Sequence, residues 1–518
     1  MTTESMAATR ISAGNGNWNS TTANAPWPGG TVPAITDSVV INTGNTVTIS
    51  ANATCGAINI LGTLNNNKGK ALTVSGGGTS PVTNGTVGGS GNITTGTGTT
   101  TTGTITLSYG SWLFAGTFTG TRLTVNMTST ANDQTVSGAL SCRVFSVVKS
   151  STILHCTITP TISTTTTLTS GAIDYNGGAQ NTMAKNHPGN VTLSGSGTKT
   201  LSASMTTITG GLTLSGSATA TTVANLAISG NLDVGSGTTF ATGTNFTLSV
   251  SGTSSISGTL TLAGTGAKTF TGNVTVNSGG EWNETAIAAI NYSGNLQNDG
   301  AYTASSTGVH TFSGTSKTIS GANEVAIPSL RINGTTTNNG TLTVSTTLAG
   351  TSTLTNGAAG TLNFGGTPIS PTLNATASGN TVNYTGTGQT LKVTAYHHLT
   401  LSGCAETFGA ITTIAGNLTL SGSATATIGS NLAISGNLDV GSGTTFATGT
   451  NYTLSVSGTS SISGTLTLAG TGAKTFTGDV TINSGSPGGI WNETGIAAIN
   501  YSGNLQNDGA YTASSTGV

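Results

Sequence analysis

The sequence predicts an all-β protein folded as a parallel β-helix, or β-solenoid, with a cap at its N-terminus. Three observations lead to this prediction. Charged residues make up 5% of the chain and 78 of its 518 residues are glycine, a composition poor in helix formers. Apolar residues alternate with Thr, Ser and Asn over short runs, which is the pattern of half-buried strands. A long segment also recurs almost unchanged, as it does in repeat proteins.

The composition also excludes several classes of protein. Disordered chains are low in β-branched apolar residues and high in net charge, whereas this chain is 34% hydrophobic with a net charge of -1. Its 13 Lys and Arg residues are spread thinly, so we expect no nucleic-acid partner. No apolar run is long enough to span a membrane. Surfaces with so little charge lack mutual repulsion, which favours self-association.

The chain contains a long duplication. Residues 212–278 recur as residues 418–484 with only six differences, and residues 282–309 recur as residues 491–518. Weaker matches extend both copies upstream. We therefore divide the chain into an N-terminal cap with the first strands (1–64), divergent coils (65–173), a first module (174–309), connecting coils (310–382) and a second module (383–518).

Each module contains a finer repeat. Two alternating apolar residues return between Gly, Asn and Ser, as in Gly258-Thr-Leu-Thr-Leu-Ala-Gly264, which predicts strands of three to five residues with one buried face. Leu212 and Leu232 hold the same place in units twenty residues apart, so we expect a coil of about twenty residues. Stacked about 4.8 Å apart, roughly 25 such coils would enclose a thin apolar core. An array of antiparallel β-sandwich domains is the alternative fold.

Residues 15–64 differ from the rest and resemble the opening segment of bacterial surface proteins built from β-strand repeats. A second segment resembles the repeats of large secreted Bacteroidetes-type surface proteins. The resemblance implies a right-handed β-helix of an adhesin-like family. The motifs that carry it are Gly16-Asn-Trp18, Trp27-Pro-Gly-Gly30, Val32-Pro33, Asp37-Ser-Val-Val-Ile41, Thr46-Val-Thr-Ile49, Tyr384-Thr-Gly-Thr-Gly-Gln389 and His398-Leu-Thr-Leu-Ser-Gly403.

Two aromatic residues of this opening segment are the candidate site residues. The end of a solenoid exposes strand edges and core side chains, and Trp18 and Trp27 are expected to cover them. A platform on which the same two rings stack against a sugar is the functional alternative.

No catalytic residues, cofactor site or metal site are predicted, and we expect that the chain is not an enzyme. Lyases and hydrolases with a β-helix fold need clustered carboxylates, whereas acidic residues such as Asp133 and Asp174 are isolated in this sequence. Four polar positions recur in both modules, and we interpret them as turn residues. The four pairs are Asp233 and Asp439, Glu284 and Glu493, Asp299 and Asp508, and Lys268 and Lys474.

Two further groupings remain as minor hypotheses. His397, His398, Cys404 and Glu406 could form a metal cluster, although successive strand residues point to opposite faces of a sheet. Cys142 and Cys156 could face each other on adjacent coils, or they could be small buried residues.

We expect an extracellular or cell-surface structural protein, in which rigid coils form a filament, sheath or adhesin stalk. Its partners would be further copies of the chain, added laterally or at an uncapped C-terminal edge, and cell-surface glycans. A carbohydrate-binding or polysaccharide-degrading β-helix protein is the alternative. An ice-binding protein is a minor alternative, because residues 94–106 and Thr259-Leu-Thr-Leu262 could present rows of Thr.

Overall fold

A computed structural model describes most of the chain. It covers residues 8–42, 44–60, 63–66, 71–74, 87–88, 93–95, 103–107, 112–285, 289–306, 308–403, 405–495 and 498–514. The fold is an all-β parallel β-solenoid with about 19 turns from residue 124 onward, as predicted. The described strand pairs are parallel, so the alternative of antiparallel sandwiches is wrong. The helical element in this part of the chain is a short 3-10 turn at Pro28–Gly30.

The chain divides into two compact units, Met1–Thr261 and Leu262–Val518. In the first unit, parallel stacking begins at Thr9–Ile11, which pairs with Ser38–Ile41, and that strand pairs with Ala57–Ile60. The opening segment therefore already contains coils. Its strands are Thr9–Ile11, Gly16–Asn17, Ser38–Ile41, Thr46–Ile49, Ala53–Cys55, Ala57–Ile60, Thr63–Asn66, Ala71–Val74, Val87–Gly88, Ile93–Thr95 and Gly103–Leu107.

Three long strands follow, and they differ from the short strands that the sequence predicts. Trp112–Met127, Gln134–Cys156 and Thr161–Tyr175 pair in parallel along most of their length. Their registers shift at several places, where one strand has one to three more residues than its neighbour and bends. Such bends let one continuous strand follow the corner of a coil.

The remainder of the first unit has three short strands per coil, one on each face. Leu212 pairs with Leu232 on the first face, which confirms the predicted coil of twenty residues. The first-face strands are Val191–Leu193, Leu212–Leu214, Leu232–Val234 and Ser254–Ile256; the second-face strands are Gln180–Asn181, Ser196–Thr200, Ser217–Thr221, Thr239–Ala241 and Thr259–Leu262; the third-face strands are Thr207–Ile208, Leu226–Ile228 and Leu248–Val250.

The second unit repeats this three-strand coil. Leu418 pairs with Leu438, as the equivalent Leu212 pairs with Leu232 in the first unit. Its strands before residue 385 are Lys268–Phe270, Val274–Val276, Glu281–Glu284, Ile290–Tyr292, Leu296–Asn298, Ala301–Thr303, Val309–Phe312, Lys317–Ser320, Val325–Ala326, Ser329–Ile332, Thr336–Asn338, Thr341–Val344, Thr347–Gly350, Thr353–Asn356, Thr361–Phe364, Thr372–Asn374 and Thr381–Tyr384.

The later strands of the second unit form three faces of their own, which we number by their sequence equivalence to the strands of the first module. The first-face strands are His398–Leu401, Leu418–Leu420, Leu438–Val440, Ser460–Ile462, Val480–Ile482 and Leu505–Asn507; the second-face strands are Glu406–Thr407, Thr425–Thr427, Thr445–Ala447, Thr465–Leu468, Ile490–Glu493 and Ala510–Thr512; the third-face strands are Thr413–Ile414, Leu432–Ile434, Leu454–Val456, Lys474–Phe476 and Ile499–Tyr501.

Alternation of buried and exposed residues builds the core inside the coils. In Leu212–Leu214 the two leucines are buried and Thr213 is turned outward, as period-two strands require. Glycine holds the corner that follows. Gly216 has a φ of 70°, and a Cβ there would lie 2.5 Å from the carbonyl oxygen of Gly195 on the preceding coil. A side chain at this corner would therefore prevent the coils from stacking.

Candidate functional site

A cluster of polar side chains lies on the outer surface of the first unit. His155 Nδ1 is 2.9 Å from Asp174 Oδ2, and His155 Nε2 is 3.7 Å from Asp133 Oδ2. Asp174 also accepts a hydrogen bond of 2.6 Å from Ser194 Oγ. The interpretation of Asp133 and Asp174 as isolated residues is therefore wrong, because the fold brings together side chains that are far apart in the sequence. Successive coils bring them to either side of one imidazole ring.

The geometry of this cluster decides what it can do. A carboxylate on Nδ1 is the arrangement that orients a catalytic histidine, and the other ring nitrogen must then face a nucleophile or substrate. Here Nε2 faces the carboxylate of Asp133 instead. The side chain of His155 is 28% exposed, so the ring bridges coils at the surface. We interpret the cluster as an electrostatic link between neighbouring coils.

A cleft of about 420 Å³ lies next along the chain from this cluster. Its lining is uncharged and consists mainly of Thr, Asn and Gln side chains. Gln180 Nε2 donates a 3.2 Å hydrogen bond to Thr159 Oγ1, so two of the lining polar groups bond to each other. The lining residues are Thr157, Ile158, Thr159, Pro160, Thr161, Ile162, Thr166, Ala179, Gln180, Asn181, Thr182, Met183 and Ala184.

Rows of threonine cover the second face of both modules. In the first module one row is continuous across four coils, with Thr198, Thr219, Thr239 and Thr259 in register. A parallel row two residues along the strand holds Thr200, Thr221, Ala241 and Thr261. The second module repeats the arrangement with Thr425, Thr445 and Thr465 beside Thr427, Ala447 and Thr467. These rows form a regular, uncharged surface.

A hydrogen-bonded pair lies inside the first module. Tyr175 and His187 are buried, with the Tyr175 hydroxyl 2.8 Å from His187 Nε2. His187 Nδ1 is 2.8 Å from the carbonyl oxygen of Lys185 and must donate to it, so Nε2 accepts from the tyrosine. The Tyr175 oxygen in turn accepts from Met183 N. Burial lowers the pKa of His187 to about 4, more than the bond to Lys185 raises it.

The second module builds the same pair with a different residue. Tyr384 replaces Tyr175, and Tyr396 stands where His187 stands, with 2.9 Å between the two hydroxyl oxygens. The Tyr384 oxygen accepts from Lys392 N, and Tyr396 donates to the carbonyl oxygen of Lys392. The two modules therefore share one network, which titrates in the acid range only in the first module.

The structure corrects our interpretation of three of the four repeated polar pairs, because the lysines, the glutamates, and Asp233 with Asp439 lie in strands. Lys268 and Lys474 lie in strands and are 1% exposed, rather than in turns. Lys474 Nζ donates to the carbonyl oxygens of Tyr452 and Ala469 at 3.1 Å and to that of Gly472, so backbone oxygens of a corner replace water around the ammonium group. Burial lowers the pKa of both lysines.

The glutamate pair is also placed in strands. Glu284 accepts hydrogen bonds from Trp282 Nε1 at 2.8 Å, from the backbone N of Ser305 at 2.7 Å, and from His310 Nε2 at 2.9 Å. Glu493 accepts from Trp491, Tyr511 and Ser514.

The aspartates occupy two different settings. Asp299 and Asp508 directly follow strands and accept from the neighbouring Gln297 and Gln506, as turn residues do. Asp233 lies in a strand and is exposed. Its partner Asp439 occupies the equivalent strand in the second module.

The two candidate aromatic residues lie inside the opening coils. Trp18 is 1% exposed and Trp27 is 0% exposed, with ring centroids 5.3 Å apart in an edge-to-face arrangement. Trp27 Nε1 donates a 2.6 Å hydrogen bond to the carbonyl oxygen of Trp18. Neither ring offers a face on which a sugar could stack, so their placement favours a packing role.

The metal hypothesis gains no support from the histidine pair. The rings of His397 and His398 lie 4.2 Å apart, closer than residues on opposite faces would be. His397 Nδ1 accepts from Gly379 N, and His398 Nδ1 accepts from Asn417 N. Cys404 lies outside the described residues. In the part of the chain that the structure describes, no three His, Cys, Asp or Glu side chains are grouped to hold a metal ion.

Of the two alternatives for Cys142 and Cys156, the structure confirms that they are small buried residues. Cys142 and Cys156 lie in the same strand, Gln134–Cys156, rather than on facing coils. Both are buried thiols, and Cys55 is also buried. Burial raises the pKa of the Cys142 thiol to about 12.

Sequence reasoning did not find the His155 cluster, the His187 pair or the interior lysines. A signal for the first was present: His155 and Asp174 are 19 residues apart, and Asp174 and Ser194 are 20 residues apart, close to one coil each. The described residues include no helix long and apolar enough to cross a membrane. Comparisons with protein-family models, with curated proteins and with solved structures found no match.

Proposed function

We propose that this chain is a structural extracellular protein whose coils serve as a filament, a sheath or an adhesin stalk, as the resemblance to secreted bacterial surface proteins implies. The observation that carries the proposal is that both modules repeat one coil with the same register, in which Leu212 pairs with Leu232 and Leu418 pairs with Leu438. Duplicating a coil extends the structure and adds no new arrangement of reactive groups.

The interior contacts support a mechanical role. Asn338 Nδ2 donates to Asn356 Oδ1 at 2.8 Å, and Asn356 Nδ2 is 3.3 Å from Asn380 Oδ1, so amide groups link three successive coils. Trp282 stacks on Tyr302 with 5.6 Å between their ring centroids. Side-chain ladders of this kind resist sliding of one coil over the next, because a shift breaks every rung together.

The outer surface supports self-association. Thr275 and Thr481 are equivalent residues between the buried residues of two strands, and the residues that pair with them, Gln297, Ser461 and Gln506, are uncharged. Sheets usually avoid edge and face contacts by carrying charge, especially lysine. We expect copies of the chain to associate laterally through such faces.

Electron microscopy and sedimentation velocity over a range of protein concentrations test this proposal. We expect assemblies that grow with concentration, and we expect the double variant Thr275→Lys, Thr481→Lys to reduce them, because each lysine adds a charge beside uncharged neighbours and copies then repel each other. Far-ultraviolet circular dichroism would establish that the variant remains folded. Monomers alone at the highest concentration for the unmodified chain would contradict the proposal.

Ice binding is a second candidate, favoured by the threonine rows on the second face. Neighbouring coils place threonines about 4.8 Å apart, and alternate residues of one strand lie about 6.7 Å apart. This two-dimensional spacing presents hydroxyl and methyl groups at regular intervals, which suits the regular oxygen rows of an ice surface.

Inhibition of ice recrystallisation tests the second candidate. The double variant Thr219→Lys, Thr239→Lys should abolish inhibition, because it places two charges at the centre of the array. Thr213→Lys, on another face, is the matched control and should retain it. Absence of inhibition by the unmodified chain would refute this candidate.

A further inference from the structure

Lys199 and Glu406 occupy the same interior position in the two modules. Lys199 pairs in register with Gln180 and Ala220, and Glu406 pairs with Ala426. Ala220 and Ala426 are equivalent residues of the duplicated segment. An ammonium group in the first module therefore stands where a carboxylate stands in the second.

In the first module the ammonium group is held by oxygen atoms of a turn. Lys199 is 0% exposed, and its Nζ donates to the carbonyl oxygens of Gly177 and Gly178, the second at 2.8 Å. Gln180 Oε1 lies 3.4 Å from the same Nζ. Three neutral oxygens thus bind one positive charge inside the coil.

In the second module, the carboxyl oxygens of Glu406 and the backbone carbonyl oxygen of Gly386 lie at the equivalent position. Glu406 is 4% exposed, and neither oxygen of its carboxyl group has a hydrogen-bond partner among the residues described. Gly386, the equivalent of Gly177, turns its carbonyl oxygen towards Gly403. A Cβ on Gly403 would clash with that oxygen and would lie 2.8 Å from Glu406 Oε1, so both oxygens lie beside Gly403, on the side that a side chain would occupy.

The electrostatics of this arrangement are unfavourable without a positive charge. A buried carboxylate that faces a carbonyl oxygen lacks both hydration and a counter-charge. Burial raises the pKa of Glu406, more than the nearby backbone N–H groups of Glu406, Thr425 and Gly403 lower it. Carboxylate and carbonyl oxygens are the ligands that hard cations prefer.

We propose that Glu406 and the carbonyl oxygen of Gly386 bind a monovalent cation, Na⁺ or K⁺, which takes the place of the Lys199 ammonium group. One positive charge balances the single carboxylate, whereas a divalent ion would leave an excess charge inside the coil. The site goes beyond the proposed structural role, since it makes the stability of the second module depend on an ion. The first module carries its cation covalently and is independent of salt.

Hydrogen exchange of the full-length protein in NaCl, KCl and tetramethylammonium chloride, at equal concentration, tests the proposal. The measurement is made at pH 8, where an exposed carboxyl group is ionised. The reporting amide is Thr407 N, which donates to the carbonyl oxygen of Gln389. Its protection should be about tenfold greater in NaCl or KCl than in tetramethylammonium chloride when the cation is at about ten times its dissociation constant. Thr182 N in the first module should be unaffected.

Two variants test whether the charge of Glu406 is what binds the ion. Glu406→Gln removes the charge and should abolish the dependence on the salt. Glu406→Lys should also abolish it and retain full protection of Thr407 N, because an ammonium group then reaches the turn oxygens. Equal protection in all three salts for the unmodified chain would overturn the proposal. A response to CaCl₂ alone would overturn the assignment of a monovalent ion.

Discussion

Acidification should loosen the first module around His187 and leave the equivalent part of the second module unchanged. The neutral imidazole of His187 accepts from the Tyr175 hydroxyl and donates to the carbonyl oxygen of Lys185. A second proton on Nε2 removes the acceptor and places a charge in a site that is 1% exposed. The hydroxyl of Tyr396 in the second module does not titrate in this range.

The size of the effect follows from the pKa of His187, which burial lowers from 6.5 to about 4. Between these pH values the unfolded chain binds more protons than the folded chain. The contribution of neutral His187 to the stability of the first module is therefore fully present above pH 6.5 and is lost as the pH falls towards 4. Each pKa unit corresponds to about 1.4 kcal/mol, which gives a loss of about 2 kcal/mol at pH 5 and about 3 kcal/mol at pH 4.

Hydrogen exchange measures this loss locally. The reporting amides are Met183 N, bonded to the Tyr175 hydroxyl, and His187 N, bonded to the carbonyl oxygen of Thr207. After correction for intrinsic exchange rates, their protection factors should fall roughly 100-fold between pH 7 and pH 4. Lys392 N, bonded to the Tyr384 hydroxyl, is the internal control.

Reciprocal substitutions provide the matched variants. His187→Tyr should remove the acid sensitivity of the first module, and Tyr396→His should introduce it into the second. The reasoning would be refuted if protection in the first module stayed constant down to pH 4. It would also be refuted if the His187→Tyr variant lost protection as steeply as the unmodified chain.

Three further predictions concern other buried groups. Asp37 is 1% exposed, and hydrogen bonds from Ala34, Ala8 and Arg10 lower its pKa despite burial. Asp37→Asn should therefore destabilise the first coils by about 1–3 kcal/mol at pH 7, as measured by hydrogen exchange. This difference in stability should shrink as acid protonates Asp37 in the folded chain. Burial lowers the pKa of Lys149 from 10.5 to about 8, so between these pH values the unfolded chain binds more protons than the folded chain. The free energy of unfolding, measured by urea denaturation, should therefore rise with pH across this range. A Lys149→Met variant should lack this rise. In a Cys404→Ser variant, the three buried thiols should react with a thiol reagent only after denaturation, and mass spectrometry that detects rapid labelling of the folded chain would contradict their burial.

The regular coils were accessible to sequence reasoning, because their signal is local. Each coil repeats an alternation such as Leu212-Thr-Leu214, and the spacing to Leu232 gives the length of a turn. Strand positions, coil length and parallel pairing follow from this pattern. The long strand Gln134–Cys156 did not follow, since its bends depend on register shifts against neighbouring strands.

The contents of the interior were less accessible. Lys268 and Glu284 are charged residues, which are usually exposed, so the repeated positions were interpreted as turns. Their burial depends on backbone oxygens and on a partner such as His310, which lies 26 residues from Glu284. Corners of variable length decide which residues of different coils meet. The grouping of Asp133, His155 and Asp174 also depends on these corners, and its signal in the sequence is the spacing of about one coil between His155 and Asp174.

The near-identity of the two modules has a kinetic consequence for folding. A newly formed coil of residues 212–234 presents almost the same docking surface as residues 418–440, so a strand from one copy can add to the other. Misplaced strands of this kind would be kinetic traps, held by correct-looking backbone pairing. The segments that flank the two copies differ in sequence, and this difference distinguishes one copy from the other during folding. Lys199 precedes the first copy and Glu406 precedes the second, so a residue outside the duplicated segment differs at the coil on which each copy stacks.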